Sequence, residues 1–114
     1  TGPVTLKMIA NNLKSMTEIA QANGIKVILC SVLPAYDYPW SPGKQPNIKI
    51  PKLNSMIEDF AKKSGAFYLD YFKAINDGNN GMIKEYSNDG VHLTAKGYHV
   101  LEQMLEKALD KLLN

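Results

Sequence analysis

"IKVILCSVLP", Ile25 to Pro34, is the stretch on which the fold turns. From Ile25 to Leu33 the side chains are almost continuously apolar and rich in β-branched residues, and a proline closes the run. That is the pattern of a strand covered on both faces, as in a parallel sheet. Cys30, inside it, is read as an inert buried thiol. Upstream, Leu6, Ile9, Leu13, Met16 and Ala20 recur at alternating spacings of three and four, one stripe of an amphipathic helix running from Pro3 to the Asn23–Gly24 stop. Downstream, "PAYDYPWSPGKQP" (Pro34–Pro46) carries prolines and aromatics without any period, so a long loop must leave the strand's end.

A second helix is expected with Pro51 in its first turn and Leu53, Ile57, Phe60, Ala61 and Ser64 on one face, ending at Gly65. "AFYLDYF" (Ala66–Phe72) reads as a second strand. Lys73–Gly90 is turn chemistry broken by a short apolar piece at Met82–Ile83. A last helix from near Thr94 directs Tyr98, Leu101, Leu105, Ala108 and Leu112 inward and leaves His99 on the surface.

Helices alternating with strands imply an α/β domain, a parallel sheet with helices on both faces, over residues 1–114. Two strands make a poor sheet, however, and a strand as apolar as Ile25–Leu33 wants a neighbour on each edge. Either upstream polypeptide supplies that neighbour, or a second copy pairs with the 25–33 edge to form a homo-oligomer. The opening "TGPVTLKMI" has no initiator methionine and reads as part of a longer protein.

Composition narrows the function. With 114 residues, 45% hydrophobic and 21% charged, the chain suits one small core. Thirteen basic residues interspersed with eleven acidic ones give a net charge of +2 and no basic run of the kind that tracks phosphates, so nucleic-acid binding has no support. No apolar stretch is long enough to span a bilayer. One cysteine leaves the redox compartment open. An extracytoplasmic location follows only if upstream polypeptide carries a signal peptide.

The chemistry concentrates in "NDGVHLTAKGY", Asn88 to Tyr98, where Asp89 and His92 stand three positions apart before the last helix. In open α/β sheets, catalytic groups gather beyond the carboxyl ends of the strands, and this turn lies on the return path from the second strand. A histidine takes and returns protons near neutrality, and a carboxylate on its Nδ1–H fixes the tautomer and stabilises the imidazolium. The plain alternative is a turn pair, Asp89–Gly90, ahead of a Thr94 cap. Spacing alone does not separate the two, since D-x-x-H occurs freely in unrelated sequences.

"YSNDGVHLTAKGY" before an amphipathic C-terminal helix resembles the last sequence block of the SGNH, or GDSL-type, hydrolases. "IKVILCSVLPA" is similar to that family's fourth strand with its following loop, and "IPKLNSMIEDFAKKSGAFYLDYF" to the next helix and fifth strand. The resemblance implies a partial three-layer αβα, flavodoxin-like fold whose N-terminal strands are missing from the chain. It also implies a serine esterase or lipase-like acyl hydrolase needing no cofactor and no metal, with His92 as general base and Asp89 as its partner. The substrate would be a small-molecule ester, including acylated carbohydrate. The family's G-D-S nucleophile block, its second-block glycine and its G-x-N-D asparagine do not occur here, and none of Ser15, Ser31, Ser41, Ser55, Ser64 and Ser87 stands in such a context. The chain alone is therefore expected to be inactive.

Tyr36, Tyr38 and Trp40, on the loop after the first strand, are candidates for an apolar wall around an acyl group or sugar ring, with loop packing as the equal alternative. Asp37 is a further carboxylate near a strand end. Asp70 is a strand-end carboxylate of the sort that serves as phosphoacceptor or metal ligand, although no acidic pair precedes it. Against the hydrolase stands a non-catalytic α/β signalling or binding module in which Asp89 and His92 are structural, or two ligands of an incomplete metal site.

Overall fold

The structure, a computed structural model, describes residues 5–113. Helix α1 (Leu6–Ala22) leads to strand β1 (Ile28–Cys30), helix α2 (Pro46–Ser64), strand β2 (Phe67–Leu69), a short helix α3 (Tyr71–Ile75), a 3-10 turn (Lys84–Tyr86) and helix α4 (Ala95–Leu113). The strands are parallel, with Ile28 opposite Phe67, Leu29 opposite Tyr68 and Cys30 opposite Leu69. The chain is thus α/β, as its alternation of elements predicts.

Side chains alternate across a strand, and this divides the sheet between two layers. Leu29 and its partner Tyr68 face the layer of α1 and α2, where Leu29, Leu53, Ile57 and Ala61 form the buried cluster and Leu6, Ile9, Ala10 and Leu13 pack against it. Phe67 and Leu69 face the opposite way and meet Met104 and Ala108 of α4. The result is three layers, helices on either side of a narrow sheet.

The first strand is shorter than its apolar run. Pairing occupies only Ile28–Cys30, Ile25 is 57% and Val32 38% exposed, and Cys30 is exposed rather than buried. The reason lies at the edges: among the described residues β1 pairs only with β2, and α4 packs on β2, so the side of β1 bearing Ile28 and Cys30 lacks a covering layer. Met16 is likewise not core. It is 66% exposed and lines a groove with Leu13, Thr17 and Ile28, while Thr17 takes the buried position and bonds the Leu13 carbonyl at 2.8 Å. The expected helix start at Pro3 lies outside the described residues, and Thr5 caps α1 by accepting the Met8 amide at 3.1 Å.

Helix α2 starts five residues before its expected place, so Pro51 sits inside it and not in its first turn. A proline within a helix leaves the carbonyl four residues earlier without its amide. Here that carbonyl belongs to Asn47, and the Asn80 side-chain amide donates to it at 3.1 Å. The second strand also ends early, because Asp70 becomes the N-cap of α3, its Oδ1 accepting the Lys73 amide at 3.1 Å. That bond employs the carboxylate structurally. On α4, Leu101, Leu105, Ala108 and Leu112 are buried or half-buried as the stripe requires, but Tyr98 is 57% exposed. Its neighbour Gly97 is the buried residue of that turn.

Candidate active site

Asp89 and His92 meet. The Nδ1 of His92 lies 2.7 Å from Oδ2 of Asp89, while Oδ1 of the same carboxylate accepts the backbone amides of Val91 at 2.8 Å and His92 at 2.7 Å. Bonding to the imidazole first, then to the amides of His92 and Val91, holds the Asp89 carboxyl well below the usual carboxylate range. The group is therefore ionised at neutral pH and can only accept hydrogen bonds. It follows that Nδ1 carries a proton, and in the neutral ring Nε2, on the far side, keeps its lone pair.

Ser87 builds the turn that allows this. Its buried hydroxyl donates to the His92 carbonyl at 2.7 Å and accepts the Gly90 amide at 2.9 Å, while Ser87 and Leu93 form an antiparallel bridge. Gly90 supplies the positive φ of 82° at which the chain reverses. Thr94 then caps α4, accepting the Gly97 amide at 3.2 Å and donating to the Glu85 carbonyl at 2.9 Å, and Lys96 pairs with Glu85 at 3.1 Å. A Cβ on Gly97 would lie 2.8 Å from the Tyr86 carbonyl, so only glycine lets the helix start this close to the 3-10 turn. Turn and helix are thereby locked together, and the imidazole projects from them with 74% of its side chain exposed.

The aromatic loop supplies the neighbour. Trp40 approaches His92 with ring centroids 5.7 Å apart and planes tilted by 37°, and Tyr38 stacks on Trp40 at 5.6 Å and 18°. Tyr36 stands elsewhere, with its Cβ close to Gly81. Two features anchor this loop. Asp37 Oδ1 accepts the amides of Tyr38 at 2.9 Å and Gly43 at 3.2 Å, and the buried Asn54 of α2 clamps Val32 by accepting its amide at 2.7 Å and donating to its carbonyl at 3.0 Å. Asn54 thus does for the chain beyond β1 what a neighbouring strand would do. Local pattern marks neither Ser87 nor Asn54 for these roles, although a serine two residues before the aspartate of D-x-x-H is a cue to the first.

Among the described residues no three histidine, cysteine, aspartate or glutamate side chains gather as metal ligands, and no helix is long and apolar enough to cross a membrane.

The fold is shared with solved structures. A GDSL-like lipase from Bacteroides thetaiotaomicron superposes with a TM-score of 0.91 at 37% identity, over 98% of this chain and 56% of its own. A candidate acylhydrolase from Bacteroides fragilis gives 0.91 at 35%, over 100% of this chain and 56% of its own. An acetyl xylan esterase at 20% identity shares the fold, with a TM-score of 0.71 over 91% of this chain and 55% of its own. The chain therefore spans about half the length of the structures it matches. No curated protein matches it. The model of the GDSL-like lipase/acylhydrolase family matches residues 1–100, and the chain belongs to that family.

Proposed function

We propose that the chain is the C-terminal portion of a single hydrolase domain and carries the acid–base half of a Ser-His-Asp triad cleaving small carboxylic esters, acylated carbohydrates among them. The observation that carries this reading is the 2.7 Å bond from His92 Nδ1 to an ionised Asp89. In the reaction, a serine hydroxyl outside these 114 residues attacks the acyl carbon as Nε2 of His92 takes its proton. The imidazolium, stabilised by Asp89, then protonates the departing alcohol. Water repeats the sequence on the acyl-enzyme and regenerates the serine. Tyr38 and Trp40 wall the side of the site next to His92, and Tyr36 borders a more distant subsite. The bare edge of β1 receives a further strand of the same polypeptide, with a second copy as the alternative occupant.

A triad without nucleophile and oxyanion donors loses nearly all its rate enhancement, because these groups act as a unit. The 114-residue chain is thus expected neither to hydrolyse p-nitrophenyl acetate nor to react with a fluorophosphonate. The protein extended upstream through a G-D-S block should do both, and His92→Ala should lower its turnover by more than about a thousandfold. Turnover by the short chain that His92→Ala abolishes would remove the division of the triad. An extended protein indifferent to His92→Ala would remove the hydrolase reading itself.

A further inference from the structure

Trp40 is placed to act on His92 as well as on a substrate. The two rings belong to segments far apart in the chain, yet their centroids stand 5.7 Å apart, inside the range of about 6 Å over which an aromatic face attracts a cation. Tyr38, stacked on the indole, fixes its position, and Asp37 ties the loop that carries both through the amides of Tyr38 and Gly43. His92 needs such a neighbour. Asp89 restrains only the Nδ1 edge of the ring, and the side chain is otherwise 74% exposed, so the Asp89 bond leaves the ring free to pivot about it.

We propose that Trp40 is a positioning residue that holds the His92 imidazole in its catalytic orientation and stabilises the imidazolium by cation–π attraction. This rests on the hydrolase reading given above. The chemical step is unchanged: the serine proton moves to Nε2, positive charge appears on the ring beside the indole, and the charge disappears when the leaving group is protonated. An attraction that exists only while the ring is charged favours the transition state over the ground state and therefore acts on kcat. A wall that merely contacts the acyl group acts on KM and does so more strongly as the acyl chain lengthens.

The test compares the extended protein, Trp40→Leu and Trp40→Phe on p-nitrophenyl acetate and p-nitrophenyl butyrate. Trp40 is 62% exposed, so neither substitution disturbs the core. Trp40→Leu should lower kcat by about 3- to 30-fold, equally for both esters and with KM little changed, and Trp40→Phe should recover most of it. A loss confined to KM and growing with acyl length, or a phenylalanine no better than leucine, overturns the proposal in favour of a wall alone. A second measurement does not depend on turnover. At one fixed pH, the part of the indole emission that Trp40→Phe removes should differ between the unsubstituted protein and His92→Gln, because the ring packed beside the indole is replaced by an amide. Emission indifferent to His92→Gln overturns the contact. Emission that follows His92 in a protein cleaving no ester defeats the hydrolase reading, and the catalytic meaning of the contact with it.

Discussion

Two turns built from nearly the same residues lie between α3 and α4, and they do different things. In Asn76–Gly81, Oδ1 of Asp77 accepts the amides of Asn79 at 2.7 Å and Gly81 at 3.1 Å. In Ser87–His92, Oδ1 of Asp89 accepts those of Val91 at 2.8 Å and His92 at 2.7 Å. Both carboxylates thus organise a reversal by the same local bonds, the usual office of aspartate in turns. The difference is the second oxygen. Oδ2 of Asp89 meets an imidazole that points outward. In the first turn Asp77 is exposed with no imidazole beside it, and only Asn80 reaches inward, donating to the carbonyl that Pro51 leaves without an amide. A turn of this kind is structural by default, and one histidine at the right offset makes it a candidate for chemistry.

The widest gap between the two turns should appear in activity. Asp89→Asn keeps an acceptor for the backbone amides but presents an amide N–H to the ring, which selects the wrong tautomer. Turnover of the extended protein should fall on the order of ten-thousandfold. Asp77→Asn makes the same exchange where no imidazole stands and should leave turnover within about twofold. Kinetics on a p-nitrophenyl ester decides it, and equal losses in both variants would mean that Asp89 is no more than a turn residue.

What could be read without coordinates follows from how far each interaction reaches. The apolar face of α2, the Thr94 cap and the Asp89–His92 pair are set by residues within a few positions of one another, so spacing carries them. Asn54 on Val32, Asn80 on Asn47 and Trp40 beside His92 depend on which segments become neighbours, and no local pattern marks them. The strand ends failed for a related reason. Apolar character across Ile25–Leu33 reflects everything the strand is suited to touch, whereas pairing stops at Cys30 because among the described residues only β2 lies alongside, and β2 ends at Leu69. Tyr98 and Met16 show the same limit, since a stripe with a three–four period does not say which of its edges the neighbouring layer reaches.

The next difference concerns backbone approach. An added Cβ at Gly97 would lie 2.8 Å from the Tyr86 carbonyl oxygen, a backbone atom held by the Thr94 amide, and 2.9 Å from Leu93 Cδ2. At Gly81 the nearest atom is Oδ2 of Asp77 at 3.0 Å, the end of a side chain. Gly97→Ala should therefore cost about 1–3 kcal/mol, and it should pull the turn away from α4. Gly81→Ala should cost less, because the carboxylate can shift and the unfolded chain loses freedom worth about 0.4–1 kcal/mol in alanine's favour. Urea unfolding of the two variants measures this, and a larger loss at Gly81 would reverse the assignment of the rigid contact.

Acid should separate the turns least, and only in the amides. Because the folded Asp89 carboxyl is held below its ordinary value, its bonds contribute fully above the unfolded aspartate pKa of about 3.9 and are lost only as pH falls through the lower folded value. The amide resonances of Val91 and His92 should thus keep their native positions near pH 4 and move only in stronger acid. His92→Gln takes away the largest cause of the shift and leaves Asp89 with the backbone amides and the Ser87 hydroxyl at 3.3 Å, so in that variant the transition should climb toward the ordinary aspartate range. If the wild-type amides already titrate in that ordinary range, the imidazole contributes nothing to the charge on Asp89, and the feature that sets this turn apart from its neighbour is geometry without electrostatic consequence.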